Sequence, residues 1–254
     1  MMKRVLALVA CFVALTGATD APRLVPDISN RSIEIRYSFT GAELLLFGAV
    51  VYPGGTVPEE PADVVVVLKG PTMPILMREK QKVAGLWINA ESHRFASAPG
   101  FYAIASAAPV DTLVDERTAA IYELGLDNLL LSSGGGASPE EQRRFEEGLI
   151  DVRQRTGLYS TQPNGIEVTD DILYRATIAI PSRVPVGTYT AETYLIRDGR
   201  VLAVASRDIE IDKTGFERFV AVAAQRRPFL YGLASIWISL LLGSLAAWAF
   251  RKRT

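Results

Sequence analysis

The first half of the sequence shows the two-residue alternation of apolar and polar positions that is typical of β-strands. Ile33, Ile35, Tyr37 and Phe39 alternate with polar residues, which predicts a strand with one buried face. The β-branched run that begins at Val64 predicts a short strand buried on both faces. With their Gly and Pro turns, these patterns predict about seven strands of a β-sandwich over residues 22–110. The other predicted strands are AELLLFGAVVY, ILMREK, KVAGLWINA and GFYAIASA.

Residues 111–157 change to the spacing of helices. The segment VDERTAAIYELGLDNLLL predicts a first helix. A capping box with proline at the first helical position starts at Ser138, and Phe145, Leu149 and Val152 give this second helix an apolar stripe. We expect 132–136 (SSGGG) to be a mobile linker between the helices, since it lacks the lysine of a phosphate-binding loop.

Residues 158–213 return to the strand pattern. The predicted strands are DILYRATIAIP, VGTYTAETYLI and RVLAVASRDIEI, and Asp198-Gly199 predicts a tight hairpin between the last two. Tyr189, which follows a turn glycine, resembles the tyrosine-bearing strand of immunoglobulin-like sandwiches. Three strands can hardly form a stable domain alone, so we expect them to complete or flank the first sandwich.

Both ends of the chain are apolar, but in different ways. A basic start, a short apolar stretch and small residues predict a signal peptide at 1–18, with cleavage after Ala18 or, as second choice, after Ala21. The uncharged segment 229–250 would be about 33 Å long as a helix, which predicts a transmembrane helix. An amphipathic juxtamembrane helix is expected at 214–227 and a short tail at 251–254.

The predicted fold class is mainly β with a helical insert (α+β). It comprises an immunoglobulin-like β-sandwich body, which is exported, and one C-terminal transmembrane helix. Export followed by a stop-transfer helix predicts a single-pass protein of the cytoplasmic (inner) membrane. Its body would lie in the periplasm and its C-terminus in the cytoplasm.

Charge and cysteine content narrow the function further. Without the two basic residues of the signal peptide and the three of the tail, the body has 22 basic and 28 acidic residues, a net charge of −6. This balance argues against nucleic-acid binding and gives no reason to expect attraction to anionic lipid. Cleavage of the signal peptide also removes Cys11, the only cysteine, and with it disulfides and thiolate chemistry.

Few residues carry candidate chemistry. His93, the only histidine, lies between two predicted strands without an accompanying nucleophile motif, so we interpret it as a loop residue with a local hydrogen bond. We expect no catalytic residue, no cofactor and no metal site. Two alternatives stay open: an enzyme that uses His93 with carboxylates of the 111–116 region, and a copper(I) site formed by Met73, Met77 and His93.

Small residues recur every four positions along the predicted transmembrane helix. Ser235, Ser239, Gly243 and Ala247 form one face that would let a second helix approach closely. We therefore predict a helix–helix interface there, either with another transmembrane protein or with a second copy of the chain.

Three segments of the chain resemble the alphaproteobacterial putative transmembrane protein family. They are VAGLWINAESHRFASAPGFYAIASA, VPVGTYTAETYLIRDGRVLA and TGFERFVAVAAQRRPFLYGLAS. The resemblance spans most of the chain and implies topology but no chemistry. It also implies a candidate partner, because genes of this family often lie beside a sulfite-exporter-type transporter gene. We expect a membrane-anchored periplasmic accessory or assembly protein that binds a multi-spanning membrane partner, the alternatives being a periplasmic enzyme and a copper-binding chaperone.

Overall fold

The computed structural model describes residues 21–30, 32–35, 41–213, 220 and 224–251. The chain divides into two compact units, Met1–Ile33 with Thr40–Ile211, and Glu34–Phe39 with Asp212–Thr254. The predicted signal peptide, the second half of the strand predicted from Ile33 to Phe39 and most of the predicted juxtamembrane helix lie outside the described residues.

Thirteen strands and four α-helices are described. The strands are β1 (Arg23–Ile28), β2 (Ser32–Ile35), β3 (Ala42–Val51), β4 (Asp63–Lys69), β5 (Thr72–Val83), β6 (Leu86–Pro99), β7 (Tyr102–Ser106), β8 (Ser132–Ser133), β9 (Tyr159–Pro163), β10 (Ile166–Thr169), β11 (Leu173–Ile180), β12 (Gly187–Arg197) and β13 (Arg200–Lys213). The helices are α1 (Val110–Leu113), α2 (Glu116–Tyr122), α3 (Pro139–Arg155) and α4 (Pro228–Arg251). The prediction of a mainly β chain with a few helices is confirmed.

The strands form three sheets. One sheet has the order β1-β3-β11-β10, the second β2-β13-β12-β4-β7-β9, and the third is the β5-β6 hairpin with β8 at its side. Within the second sheet, β7 and β9 run parallel. Both larger sheets thus combine strands from the N-terminal part of the body with strands from its C-terminal part.

The core lies on both sides of β4. All five residues of 64–68 are fully buried, because β4 is central in its sheet and both of its faces are covered. On one side, the hydroxyl of Tyr174 in β11 donates a 3.5 Å hydrogen bond to Thr193 in β12, which joins the two larger sheets. On the other side, the Tyr102 hydroxyl of β7 donates to the Glu123 carbonyl at 2.7 Å, which holds the α1–α2 segment on the sheet.

A tyrosine of β12 fixes one corner of this arrangement. The Tyr189 hydroxyl donates to the Pro185 carbonyl at 2.7 Å, a contact of the kind made by the corner tyrosine of immunoglobulin-like domains. Gly70 lies beside it, and a Cβ atom there would come within 2.9 Å of both Phe101 and Tyr189. The assignment of the body to the immunoglobulin-like class stays a prediction.

Two tight hairpin turns lie at Ala84-Gly85 and Asp198-Gly199, of which only the second was predicted from the sequence. Asp198-Gly199 is the expected turn between β12 and β13, with φ angles of 51° and 72°. The prediction of a single strand over KVAGLWINA is wrong, because Ala84 and Gly85 adopt φ angles of 50° and 87° and turn the chain from β5 into β6. Such a two-residue turn needs positive φ at both positions, which matches the twist of the flanking strands.

The helical region also differs in part from expectation. Helix α3 begins as predicted, with the Ser138 hydroxyl accepting from the Glu141 amide at 3.2 Å. The first predicted helix is wrong beyond Tyr122, since Glu123 is left-handed and ends α2. The predicted linker is wrong at its start, because Ser132 and Ser133 pair with β6.

Helix α4 belongs to the second unit. Its segment Pro228–Leu245 is long and apolar enough to cross a membrane, and none of that segment is buried within the protein. It is the one such helix among the described residues. The predicted transmembrane segment 229–250 lies within α4.

Candidate functional site

His93 lies inside β6, and its predicted place in a loop is therefore wrong. Its side chain is only 4% exposed. The Nε2 atom is 3.0 Å from the Ser133 hydroxyl oxygen, a partner forty residues away rather than a local one. The imidazole packs edge-on against Phe95, with ring centroids 4.8 Å apart, and stacks on Phe145 at 5.3 Å. These contacts give His93 a structural task, which is to join the hairpin to β8 and α3.

The two methionines of the proposed copper site have separate surroundings. Met77 is the direct cross-strand partner of His93, and it packs against the apolar cluster around Phe145. Met73 pairs with Ala98 beyond a β-bulge, and the end of its side chain lies beside Gly100. Among the described residues, no group of three or more His, Cys, Asp or Glu side chains could hold a metal ion. A copper site of Met73, Met77 and His93 stays a prediction.

The carboxylates of the alternative enzyme line a cavity to which His93 does not contribute. Asp111, Asp115 and Glu116 border a space of about 830 Å³ between α1, α2 and the end of α3. Asp115 caps α2, since its carboxylate accepts from the Thr118 amide at 2.7 Å. The hydrogen bonds from Thr118 hold the pKa of Asp115 below its usual range. The structure therefore gives Asp115 a capping role and does not unite these carboxylates with the histidine.

A polar cluster that sequence patterns did not reveal fastens α2 to the second sheet. The Lys69 ammonium lies 3.1 Å from the Glu123 carboxylate and 3.2 Å from that of Glu192. The Tyr194 hydroxyl donates to Glu192 at 2.8 Å, and burial together with this bond raises the pKa of Tyr194. These groups come from three elements far apart in sequence, so no local spacing announces them. Each of these polar groups is paired with another member of the cluster, as expected for contacts that stabilise the fold rather than for a reactive centre.

The β5-β6 hairpin carries a different feature, an apolar tip that sequence analysis also missed. Val83, Leu86, Trp87 and Ile88 surround the turn, and Leu86 and Trp87 are 71% and 67% exposed. Closer to the body, the hairpin is supported, because Arg144 of α3 pairs with Glu79 and Glu91. We call the segment 83–88 the hairpin tip.

The small-residue face predicted on the transmembrane helix is exposed at Ser239 and Gly243 and half-buried at Ser235. The Ser235 hydroxyl donates to the Tyr231 carbonyl and the Ser239 hydroxyl to the Ser235 carbonyl, both at 2.9 Å. A Cβ atom at Gly243 would meet nothing within 4 Å. The side chain of Ala247 lies outside the described residues. The prediction that this face meets another helix stays a prediction.

These features define a membrane protein with a β-rich body and one candidate spanning helix. The chain belongs to the family described as "Putative transmembrane protein (Alph_Pro_TM)", whose model matches residues 23–252. The resemblance noted from the sequence is thereby confirmed. The family match names no partner, so the transporter also stays a prediction.

Two solved structures resemble parts of the chain. Spo0M, a sporulation control protein from Bacillus subtilis, is 13% identical with a TM-score of 0.31, and the alignment covers 81% of this chain and 55% of Spo0M. BslA, a bacterial hydrophobin, is 11% identical with a TM-score of 0.23, and the alignment covers 78% of this chain and 99% of BslA. The chain thus spans about half the length of Spo0M. No curated protein matches the sequence.

Proposed function

We propose that the protein is a single-pass, non-enzymatic accessory or assembly protein of the inner membrane. Its body lies in the periplasm, its C-terminus lies in the cytoplasm, and α4 docks on a multi-spanning membrane partner. A sulfite-exporter-type transporter is the candidate partner. The observation that carries the proposal is the small-residue face of α4, of which no part as far as Leu245 is buried among the described residues.

The two faces of α4 differ in the side chains that they present. Ser235, Ser239 and Gly243 follow one another at four-residue intervals, whereas Trp237 and Leu241 lie on the other side of the helix. A face of small residues lets two helix backbones approach closely, and the resulting packing supplies most of the attraction in a bilayer. A bulky face suits lipid chains.

The serine geometry indicates which force would hold the interface. Both hydroxyl protons already bond to carbonyl oxygens of the preceding helical turn. Docking would therefore depend on close packing, and the serine oxygens could take part only as hydrogen-bond acceptors. Because Gly243 has open space around it, a larger residue there fits the free helix and obstructs only a docked one.

The test compares two substitutions on opposite faces. Gly243→Ile places a side chain in the proposed interface, and Leu241→Phe adds bulk on the opposite face as the matched control. Overpacking an interface costs about 1–3 kcal/mol, so we expect roughly a five- to 150-fold weaker association for Gly243→Ile. The measurement is the recovery of co-purifying membrane proteins after mild detergent extraction, quantified by mass spectrometry.

Photo-crosslinking in intact cells provides an independent check. A photoreactive residue at 239 should capture the same partner that co-purifies, whereas one at 241 should capture little. If the protein is recovered alone, or if both positions crosslink equally, docking through this face is wrong.

A further inference from the structure

The outer part of the β5-β6 hairpin is a two-stranded ribbon without cover from the described residues. Strand β8 pairs with β6 only near Phe95, and the contacts of Arg144 reach no farther than Glu79 and Glu91. Beyond Glu79 the ribbon continues for five residues to Ala84, a rise of about 17 Å. An isolated two-stranded ribbon with an apolar end is marginal in water, so this end gains from a less polar environment.

Charges are segregated between the two faces of this ribbon. Arg78, Lys80 and Lys82 occupy exposed alternate positions of β5, and Arg94 lies opposite Leu76 in the register. None of these four cations forms an ion pair with any described residue. The two acidic residues of the ribbon, Glu79 and Glu91, both pair with Arg144 of α3. The free face is therefore cationic, although the body as a whole is acidic.

We propose that the hairpin tip inserts into the interface of an anionic lipid bilayer, with the cationic face of β5 against the headgroup phosphates. Leu86, Trp87 and Ile88 would enter the boundary between headgroups and acyl chains, where an indole ring is favourably placed. Lysine side chains can keep their charge at the headgroups while their stems follow the apolar surface. This contact is independent of any partner of α4.

A bilayer fits the tip better than a protein partner does. The tip offers four large apolar side chains on a narrow ribbon, whereas a stable protein interface takes roughly 20–30 residues from each side. A lipid interface needs no complementary shape, and its anionic headgroups match the cationic face. The transmembrane family to which the chain belongs and its candidate spanning helix both associate the protein with a bilayer.

The experiment uses the single tip tryptophan of the full chain as a depth probe. Replacing Trp237 and Trp248 by Phe leaves Trp87 as the only tryptophan. This variant is reconstituted into vesicles of phosphatidylcholine and phosphatidylglycerol with brominated acyl chains, which quench only an inserted indole. We expect strong quenching and a blue-shifted emission for Trp87.

Two matched variants control for position and charge. In the same background, Trp87→Phe with Ile121→Trp moves the probe to a body site of similar exposure, 65% against 67%, and should show no quenching. Lys80→Gln with Lys82→Gln should lower the insertion equilibrium by about twenty-fivefold, at roughly fivefold for each cation near an anionic surface. Vesicles without phosphatidylglycerol should weaken insertion similarly.

Each alternative outcome overturns the proposal. Unquenched Trp87 emission in anionic vesicles means that the tip does not enter lipid. A blue shift without quenching, increasing with protein density, assigns the tip to a second copy of the chain. Equal quenching of the glutamine variant and the parent chain overturns the proposed contact between the cationic face of β5 and the headgroup phosphates.

Discussion

Removing the His93 side chain should destabilise the body, because the imidazole is part of its packing. In the structure, His93 makes one hydrogen bond to Ser133 and two ring contacts, with Phe95 and Phe145. A buried hydrogen bond contributes about 1 kcal/mol and each aromatic pair about 0.5–1.5 kcal/mol. His93→Ala should therefore cost about 2–4 kcal/mol before any cost of the cavity that it leaves.

Two further variants separate the hydrogen bond from the packing. His93→Phe keeps a ring between the two phenylalanines but loses the bond, so it should cost only about 1 kcal/mol. Ser133→Ala should cost a similar amount. Because both changes remove the same bond, the double variant should be only slightly less stable than either single one.

The assay is thermal unfolding of the full chain in detergent, followed by circular dichroism in the β-sheet region. At about 2–4 °C for each kcal/mol, His93→Ala should lower Tm by roughly 10 °C and His93→Phe by about 3 °C. An unchanged Tm for His93→Ala would refute the packing role and return His93 to the candidates for chemistry. Equal decreases in Tm for His93→Ala and His93→Phe would show that the ring contacts contribute nothing to stability.

Two other predictions concern the β-rich body. The Gly48→Ala variant should unfold at a markedly lower temperature, because its Cβ atom would lie 2.5 Å from the Tyr174 hydroxyl and 2.6 Å from the Val25 carbonyl. Adding Tyr174→Phe should not restore the melting temperature, because the clash with the Val25 carbonyl remains. A restored melting temperature in the double variant would contradict this geometry. Burial raises the pKa of Tyr159 from 10.0 to about 12 and also raises that of Tyr189. Their contribution to stability is therefore complete below about pH 10 and is lost as pH rises through the folded-state pKa, because the unfolded chain loses these protons first. In an alkaline titration, tyrosinate absorbance should thus appear together with loss of the circular-dichroism signal of the β-sheet. Ionisation of these tyrosines while the β-sheet signal persists would contradict the coupling between their ionisation and unfolding.

The elements that sequence patterns predicted are those whose determinants are local. Residues 64–68 form the buried part of β4, because a continuous run of valines followed by leucine suits a strand covered on both faces. Ser138 caps α3 with its own side chain, and Asp198-Gly199 supplies the turn conformation directly. In each case the stabilising interaction lies within a few residues of the pattern.

The elements that escaped prediction depend on contacts distant in sequence. Ser132-Ser133 becomes a strand only because β6 lies beside it, and two serines have no strand pattern of their own. The burial of His93 depends on Phe145, which follows it by more than fifty residues. The turn at Ala84-Gly85 was hidden for another reason, since exposed apolar residues on both sides gave it the appearance of a strand interior.

Three of the chemistry-bearing groups of the body have structural partners in the described part of the chain. His93 is packed between two rings, Asp115 caps a helix, and Lys69 is paired with two carboxylates, so each of these groups already has a structural partner. Catalytic groups need to present a lone pair or a proton to a substrate. The surfaces without partners in the described part of the chain include the hairpin tip and the small-residue face of α4, which present apolar contact area rather than reactive atoms. If this distribution governs function, substitutions at Trp87 and Gly243 should impair the protein in cells, whereas His93→Phe, which retains the packing, should leave it active.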